Sequence, residues 1–213
     1  MRSFVGLLKK DLKGYFDEPT GYVLLIIFVG LVSYLFFRSG VVRQEASVRD
    51  IFVTMPWVLA VIVPAATMRL LAEEQRDGTL EILLTQPIRS SQLLLAKFSA
   101  AFLFIGLAVI LTAGIPIGLM SAGNLDGGAV VAQYLGTLFL AASFVAIGLF
   151  TSGLTQNQVV AFIVGLAFTM GLIIAGLPLV TVAIPQKIAV LVQDLSPLTH
   201  YRVIVRGALD LRD

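Results

Sequence analysis

The sequence predicts an all-α integral membrane protein, a polytopic helix bundle with five spans. Its mean hydropathy is +0.95, and 58% of its 213 residues are hydrophobic while 13% are charged, which is too apolar for an ordinary soluble domain. Long apolar runs recur along the chain, and their length favours helices over barrel strands. The net charge of +2 is too small to indicate nucleic acid as a partner, and a chain with no cysteine forms no disulfide.

The first segment, residues 1–18, has the pattern of an amphipathic helix. Apolar side chains recur at steps of three and four residues, at Phe4, Leu7, Leu8, Leu12 and Tyr15. Basic side chains lie mostly on other faces, at Arg2, Lys9, Lys10 and Lys13. This pattern predicts a helix in the headgroup plane of the lipid bilayer, with the basic residues at the membrane surface. The alternative is a solvated helix packed on a partner. The acidic residues here argue against a cleaved signal peptide.

Five apolar runs are long enough to be membrane spans, at residues 22–37, 51–71, 93–120, 129–154 and 159–184. The second contains Pro56 and Pro64, which predict a kinked helix whose freed carbonyls are satisfied by neighbours. Lys97 lies near the start of the third and is expected to extend its amine to the interface. Small residues four apart predict close helix packing, at Gly114/Gly118, Ala161/Gly165 and Gly171/Ala175.

The last segment, residues 185–213, becomes amphipathic again. An apolar stripe precedes a break at Ser196 and Pro197, and a second stripe resumes at Tyr201. We expect short helices at the membrane surface here, with no further span. The segment holds the sequence's lone histidine, His200, which we interpret as an interfacial side chain with no role in a metal site.

Residues 72–92 are the longest charged and turn-rich stretch between two apolar runs. Gly78 and Pro87 bound a short helix predicted at 79–85, for which Asp77 or Thr79 is the expected N-cap. Leu80, Leu83 and Leu84 fall on one face of that helix, and Glu81 lies in its first turn, where the helix dipole favours an acid. Such a helix between two spans is suited to docking a partner; the alternative is an ordinary polar loop.

The distribution of lysine and arginine favours a cytoplasmic N-terminus. The basic first segment and the nearly uncharged turn at residues 121–128 both support this orientation. It places residues 72–92 in the cytoplasm and residues 185–213 outside. The chain is expected to cross its membrane several times, and we expect that membrane to be the inner (plasma) membrane.

Several kinds of chemistry are disfavoured. The spans carry no Asp, Glu or His at mid-membrane, which argues against an ion-coupled carrier. Neither H-E-x-x-H nor G-x-S-x-G occurs, and there is no G-x-x-x-x-G-K-[ST] loop to hold a nucleotide. We therefore assign no catalytic residue and no cofactor to the chain itself, and any energy source has to be supplied by a partner.

The stretch from Glu73 to Pro87, with Lys97 entering the next span, resembles the permease subunits of ABC transporters of the type-2 exporter class. The similarity is strongest to the group with the gliding-motility permeases and the permease of nitrous-oxide reductase maturation. The pattern E-E-x-x-x-G-T-L-E-x-L-L-x-x-P is matched at Glu73, Glu74, Gly78, Thr79, Leu80, Glu81, Leu83, Leu84 and Pro87. Weaker similarities flank it at residues 16–22 and 195–213.

The resemblance implies six membrane helices, an N-terminal amphipathic helix on the cytoplasmic face and a coupling helix between the second and third spans. It places the sixth helix after Asp213. It implies a second permease copy or paralogue, accessory subunits, and an ABC ATP-binding subunit that carries ATP and Mg²⁺ and drives export. The implied contacts with that subunit are Glu73, Glu74, Arg76, Gly78, Thr79, Leu80, Glu81, Leu83, Leu84 and Pro87.

In this interpretation Glu73, Glu74 and Glu81 pair with basic residues of the partner or clamp the neighbouring amphipathic helix. Two other classes of function stay open. One is a non-transporting membrane scaffold that anchors a cytoplasmic partner, and the other is an ATP-independent carrier or channel. The apolar bundle is equally compatible with a lipid, a peptide, a glycan or a drug as substrate.

Overall fold

The computed structural model describes residues 2–43, 48–81, 89–120, 127–178, 180, 193–194 and 196–205. These residues are helical apart from short turns, which confirms the all-α class. The helices in this part of the chain are α1 (Arg2–Asp17), α2 (Pro19–Arg43), α3 (Val48–Thr67), α4 (Arg69–Arg76), α5 (Ser90–Leu111), α6 (Gly114–Met120), α7 (Gly127–Gly153), α8 (Gln158–Ala175) and α9 (Pro197–Val205).

Within the described ranges, five helical stretches are long and apolar enough to cross a membrane, which confirms the predicted bundle. They are Pro19–Arg38, Ile51–Arg76, Ser90–Leu119, Gly127–Gly153 and Gln158–Ala175. The second extends five residues beyond the predicted end at residue 71, because α4 continues the path of α3 after a single non-helical residue, Met68. Residues 72–76, predicted to belong to the polar stretch, are therefore helical.

Helix α3 is the centre of the bundle. Two thirds of its apolar window, 67%, is buried inside the protein, compared with 22% in the first and fifth spans. It packs against α2, α7 and α8, and the fully buried Phe52, Met55 and Leu59 face Phe104 of α5 and Phe144 of α7 in one core cluster. An apolar helix in a membrane bundle can face protein or lipid, so this burial follows from the position of α3 between α2, α7 and α8.

The two prolines of α3 lie inside a continuous helix. Proline has no N–H, so the carbonyl four residues earlier loses its intrahelical donor. Those carbonyls belong to Phe52 and Ala60, and they accept hydrogen bonds from the hydroxyls of Tyr201 at 2.7 Å and Thr169 at 3.0 Å. The prediction that neighbours satisfy the freed carbonyls is confirmed.

Helix α1 has the predicted apolar stripe, and that stripe packs on α5 of the same chain. Leu7 lies with Leu93 and Ala96, and the ring of Tyr15 stacks on Phe104 with centroids 4.3 Å apart. Gly21 sits where α2 begins, so close to the Tyr15 carbonyl that a Cβ would collide with it. The stripe is thus largely covered by protein, which the periodicity alone could not distinguish from a lipid contact.

Helix α9 lies in the segment where short helices are predicted, and one face of it packs on the bundle. It begins at Pro197, four residues before the predicted restart, and packs on α7 with Leu198, Tyr201 and Val205 buried. Proline is well suited to the first position of a helix, so the predicted break is a helix start. The apolar stripe predicted before Ser196 falls largely at residues outside those described.

The small-residue pairs are only partly used for close packing. Among the described residues, no atom of another element lies within 4 Å of a Cβ built on Gly114, Gly118 or Gly171, so no described helix packs closely on these glycines. At Gly165 a Cβ would lie 3.3 Å from Pro64, and Ala161 is buried. Sequence spacing identifies small residues but not which of them another helix approaches.

Candidate functional site

The α3–α4 junction is the point where the central helix breaks. The hydroxyl of Ser152, at the end of α7, accepts hydrogen bonds from the amides of Leu71 at 3.0 Å and Ala72 at 3.1 Å. The same hydroxyl donates to the Met68 carbonyl at 2.8 Å. Gln75 donates to the carbonyl of Gly153 at 2.9 Å. One serine therefore satisfies backbone groups freed by the break and attaches α4 to α7.

On its other side α4 contacts a buried charged cluster, formed by Asp11 of α1, Glu74 of α4 and Lys97 of α5. The Lys97 side chain is 2% exposed, and its Nζ lies 2.9 Å from Glu74 Oε2 and 3.6 Å from Asp11 Oδ2. The carboxylates are 13% and 8% exposed. Lys10 reaches the other Glu74 oxygen at 3.3 Å. The prediction that Lys97 extends to the interface is wrong, since two acids pair with it inside the protein.

Burial changes the pKa of one member of this cluster, Asp11. Removal from water raises the pKa of Asp11 above its usual range, and the nearby ammonium of Lys97 opposes the rise. A buried ion pair of this kind costs free energy to desolvate, but breaking it by removing one partner costs considerably more. The cluster consequently holds α1, α4 and α5 in one arrangement.

A second group of contacts lies beside the cluster, around Arg69 at the start of α4. Arg69 forms an ion pair with Glu18, and its guanidinium lies 5.8 Å from the centroid of the Tyr15 ring. The Arg69 hydrogen bond holds the pKa of Glu18 below its usual range. The Tyr15 hydroxyl donates to the Ala66 carbonyl at 2.8 Å, near the end of α3. Helix α1 is thus attached to the α3–α4 junction as well as to α5.

These groups line a cleft of about 240 Å³ between α1 and α4, with Glu73 on its wall. Across the described ranges, no three His, Cys, Asp or Glu side chains converge as a metal site would require. The cleft walls carry paired acids and bases without a nucleophile activated by a base. We refer to the cleft, the charged cluster and the junction together as the charged end of the bundle.

The structure places most of the residues predicted to contact a partner at this end. Glu73 is half-buried, and the exposed Arg76 lies 3.1 Å from the carboxylate of Asp77. Asp77 is the C-cap of α4, which corrects its predicted role as an N-cap of the next helix. Gly78 follows it with φ +67°, a conformation that only glycine adopts readily at a helix end. Gly78 is therefore the breaker that the sequence indicates.

The predicted coupling helix at 79–85 is described only in part. Thr79 and Glu81 are helical and exposed, and Leu80 packs against the cluster of Leu7, Leu93 and Ala96. Its remaining residues lie outside those described, and with them Leu83, Leu84 and Pro87.

The basic residues predicted at the membrane surface lie on α1. Lys9, Lys10 and Lys13 are exposed, and Lys13 pairs with Asp17 at 3.7 Å. Arg2 is helical, and the placement of its side chain is not described. Lys10 has a second contact, since it reaches Glu74 as well as solvent.

Sequence reasoning missed Asp11, Ser152 and Gln75 as residues of the charged end. An acid inside a lysine-rich amphipathic helix, as at Asp11, was the one available indication of a buried pairing. Ser152 and Gln75 carry no such indication, because serine and glutamine occur throughout the chain. Their role follows only from the position of α7 beside the helix break.

Comparison with known proteins identifies a family for this chain. A family model described as "ABC-2 family transporter protein" matches residues 13–213. Neither the curated proteins nor the solved structures include a match to the chain. The family match covers nearly the whole sequence, including the five candidate spans and the α3–α4 junction, and it begins two residues after Asp11. The chain belongs to the ABC-2 transporter family and is a membrane permease component of an ABC transporter, a component that is not itself catalytic.

Proposed function

We propose that this permease exports a substrate with energy from ATP, and that residues 73–81 receive the force from a separate ABC ATP-binding subunit. ATP and Mg²⁺ belong to that subunit, since the chain has no phosphate-binding loop of its own. The observation that carries the proposal is the buried pairing of Lys97 with Glu74 and Asp11 directly beside the predicted contact surface.

The contacts around α4 suit it to transmit a displacement. Exposed Arg76, Thr79 and Glu81 are accessible to a partner, while Leu71 and Ala72 on the same segment are buried and bonded to Ser152. A push on the exposed face would move α4 together with the helices that hold it, because packed elements respond as units. Helix α3 ends directly before the break at Met68, so a displacement of α4 reaches the centre of the bundle.

The wider assembly is also part of the proposal. The N-terminus and the charged end face the cytoplasm of a cell whose inner membrane holds the permease, and the exposed lysines of α1 face anionic lipid. A second permease copy or paralogue completes the transmembrane unit, with accessory subunits where the system has them. Within the family, the Glu73–Pro87 pattern favours the gliding-motility and nitrous-oxide reductase maturation group.

The test is a pull-down of the detergent-extracted full chain from its own host, read for proteins with a P-loop ATPase sequence. Glu81→Lys reverses an exposed charge on the contact surface, and Asp17→Lys is the matched control on α1. We expect an ATP-binding subunit with the unmodified chain and with the control, and about tenfold less with Glu81→Lys, as for a charge reversal in an interface.

Three results would count against the proposal. Equal recovery with Glu81→Lys would show that the ATP-binding subunit docks elsewhere. Recovery of a different cytoplasmic protein, with no P-loop ATPase in any sample, would favour the membrane scaffold over the transporter. A transport signal that persists without ATP or an ATPase would favour the ATP-independent carrier or channel.

A further inference from the structure

The far end of the bundle, where α9 packs on α3 and α7, holds the central helix by a different kind of contact. Pro56 removes the donor for the Phe52 carbonyl, and the buried Tyr201 hydroxyl donates to that oxygen at 2.7 Å. The same hydroxyl lies 3.2 Å from the Thr137 hydroxyl of α7. Tyr201 thus connects α9 to α3 at the carbonyl that the proline leaves without an intrahelical partner.

The second proline repeats the arrangement with another helix. Pro64 frees the Ala60 carbonyl, and Thr169 of α8 donates to it at 3.0 Å while also lying 3.0 Å from its own Gly165 carbonyl. Gly165 allows the close approach, since a Cβ there would lie 3.3 Å from Pro64. Each carbonyl of α3 that a proline frees therefore accepts a hydrogen bond from a hydroxyl of a different helix.

We infer that Tyr201 and Thr169 are positioning residues of the permease, which set the bend of α3 and connect α9 to the motion of α4. A helix that contains proline bends at that residue when its neighbours move, because the ring breaks the local hydrogen-bond ladder. The two hydroxyl bonds fix the path of α3 at its two prolines. The connection to α4 rests on the proposed function, whereas the bonds themselves do not.

The geometry makes the far end responsive to the charged end. The Phe52 and Ala66 carbonyls of α3 are about 21 Å apart at 1.5 Å per residue, and they are bonded to Tyr201 of α9 and Tyr15 of α1. Helix α9 is also held by the Gln133 amide, which donates to the Val205 carbonyl at 3.0 Å, and by Arg202, which donates to the Gly176 carbonyl at 3.4 Å. Displacement of α3 at Phe52 consequently acts on α9 through Tyr201.

The first arm of the test is a double-mutant cycle on the purified full chain, measured as the shift in its thermal unfolding midpoint. Tyr201→Phe keeps the ring but leaves the Phe52 carbonyl unsatisfied, and we expect the midpoint to fall by about 2–5 °C. In a Pro56→Ala background the alanine N–H can satisfy that carbonyl, so the same change should cost less than half as much. Thr169→Val with Pro64→Ala gives an independent second cycle.

Crossed pairs, which combine the hydroxyl change at one proline with the removal of the other proline, control for a general loosening of the helix packing. Tyr201→Phe combined with Pro64→Ala should be additive, because the two carbonyls are about 12 Å apart along the helix. The inference is overturned if the cost of Tyr201→Phe is the same with and without Pro56, or if crossed pairs couple as strongly as matched ones. The Thr169 cycle decides the question if a Pro56→Ala variant does not fold.

The second arm reports motion and uses the absence of cysteine from the sequence. A single Val203→Cys on α9 is labelled with a membrane-impermeant maleimide, in vesicles that contain the permease and its ATP-binding subunit. We expect ATP to change the labelling rate by about threefold or more, and Tyr201→Phe to remove the change. Tyr134→Phe is the matched control, since its hydroxyl contacts the Thr112 hydroxyl at 3.1 Å instead of a proline-freed carbonyl.

The two arms separate the two proposals. Loss of the ATP response in Tyr134→Phe as well as in Tyr201→Phe would overturn the specific role of Tyr201. No ATP response in the unmodified chain, with the ATP-binding subunit bound, would overturn the link from α4 to α9 but not the proposed function, which the pull-down with Glu81→Lys decides. The thermal cycles would still decide whether the hydroxyls position α3.

Discussion

The charged end and the far end hold the same central helix with different chemistry. At the charged end, Lys97 is buried between two carboxylates, and at the far end the neutral groups of Tyr201 and Gln133 bond to backbone carbonyls. Removing one member of a buried ion pair leaves a desolvated charge, whereas removing one hydroxyl leaves a single unsatisfied carbonyl. The charged end is thus suited to move as a rigid unit and the far end to rearrange.

The kind of contact at each end fits its place along α3. The charged cluster lies where α1, α4 and α5 meet beside the predicted partner surface, and a force applied there is transmitted only if the helices do not separate. Tyr201 bonds α3 near the opposite terminus of that helix, where α9 is a short element of nine residues. Changes at the two ends should therefore differ in size and in the property that they alter.

The largest effect is expected from Lys97→Met, which keeps the length of the side chain but removes the cation between Asp11 and Glu74. Breaking a buried pair in this way should lower the free energy of unfolding by about 3 kcal/mol or more, measured by thermal unfolding of the purified chain. Lys13→Met removes an exposed partner of Asp17 and should cost under about 1 kcal/mol. Equal effects of the two changes would show that the cluster does not hold the charged end together.

The comparison also shows which features the sequence could predict. Length and hydropathy determine the spans, and periodicity identifies the stripe of α1, because both depend only on neighbouring residues in the chain. The prolines predict freed carbonyls that need donors, since a missing N–H is a property of one residue. The donors themselves, Tyr201 and Thr169, depend on which helices lie adjacent and could not be identified from spacing.

The same limit explains the error at Lys97. A lysine near the start of a span usually extends to the interface, and only the packing of α1 and α4 beside it brings Asp11 and Glu74 within reach. The break at Met68 is another such case. The backbone groups freed there bond to Ser152, which is far away in sequence. Gly78, in contrast, was predictable, because a positive φ restricts the residue type.

A smaller effect is expected from Ser152→Ala, which tests the contact between α7 and the α3–α4 junction. The change leaves the Met68 carbonyl and the amides of Leu71 and Ala72 without their side-chain partner, so unfolding should become easier by about 1–3 kcal/mol. Ser143→Ala is the control, because its hydroxyl bonds a carbonyl within its own helix, that of Phe139. A Ser152→Ala variant as stable as this control would show that the serine does not stabilise the junction.

The smallest effect is a dependence on pH that should distinguish the two ends. Burial raises the pKa of Asp11, so the folded state binds this proton more tightly than the unfolded state does. Its contribution to stability is therefore greatest below the ordinary pKa of 3.8 and declines as the pH rises through the raised value. Asp11→Asn should remove that decline, measured as the unfolding midpoint in a pH series that starts below 3.8 and rises to neutral pH.

At the same end of the molecule, Glu18 should give a dependence of stability on pH with the opposite sign. Arg69 lowers its pKa, so its stabilisation is present above the ordinary value and is lost as the pH falls through the lowered one. Because Glu18 is half exposed, the loss in Glu18→Gln should be close to the limit of detection. Tyr201→Phe replaces a hydroxyl that stays neutral throughout this range, since burial raises its pKa further, and should shift the whole curve without changing its slope. A changed slope in Tyr201→Phe would mean that the two ends are not chemically separate, because loosening the far end would then alter the burial of Asp11.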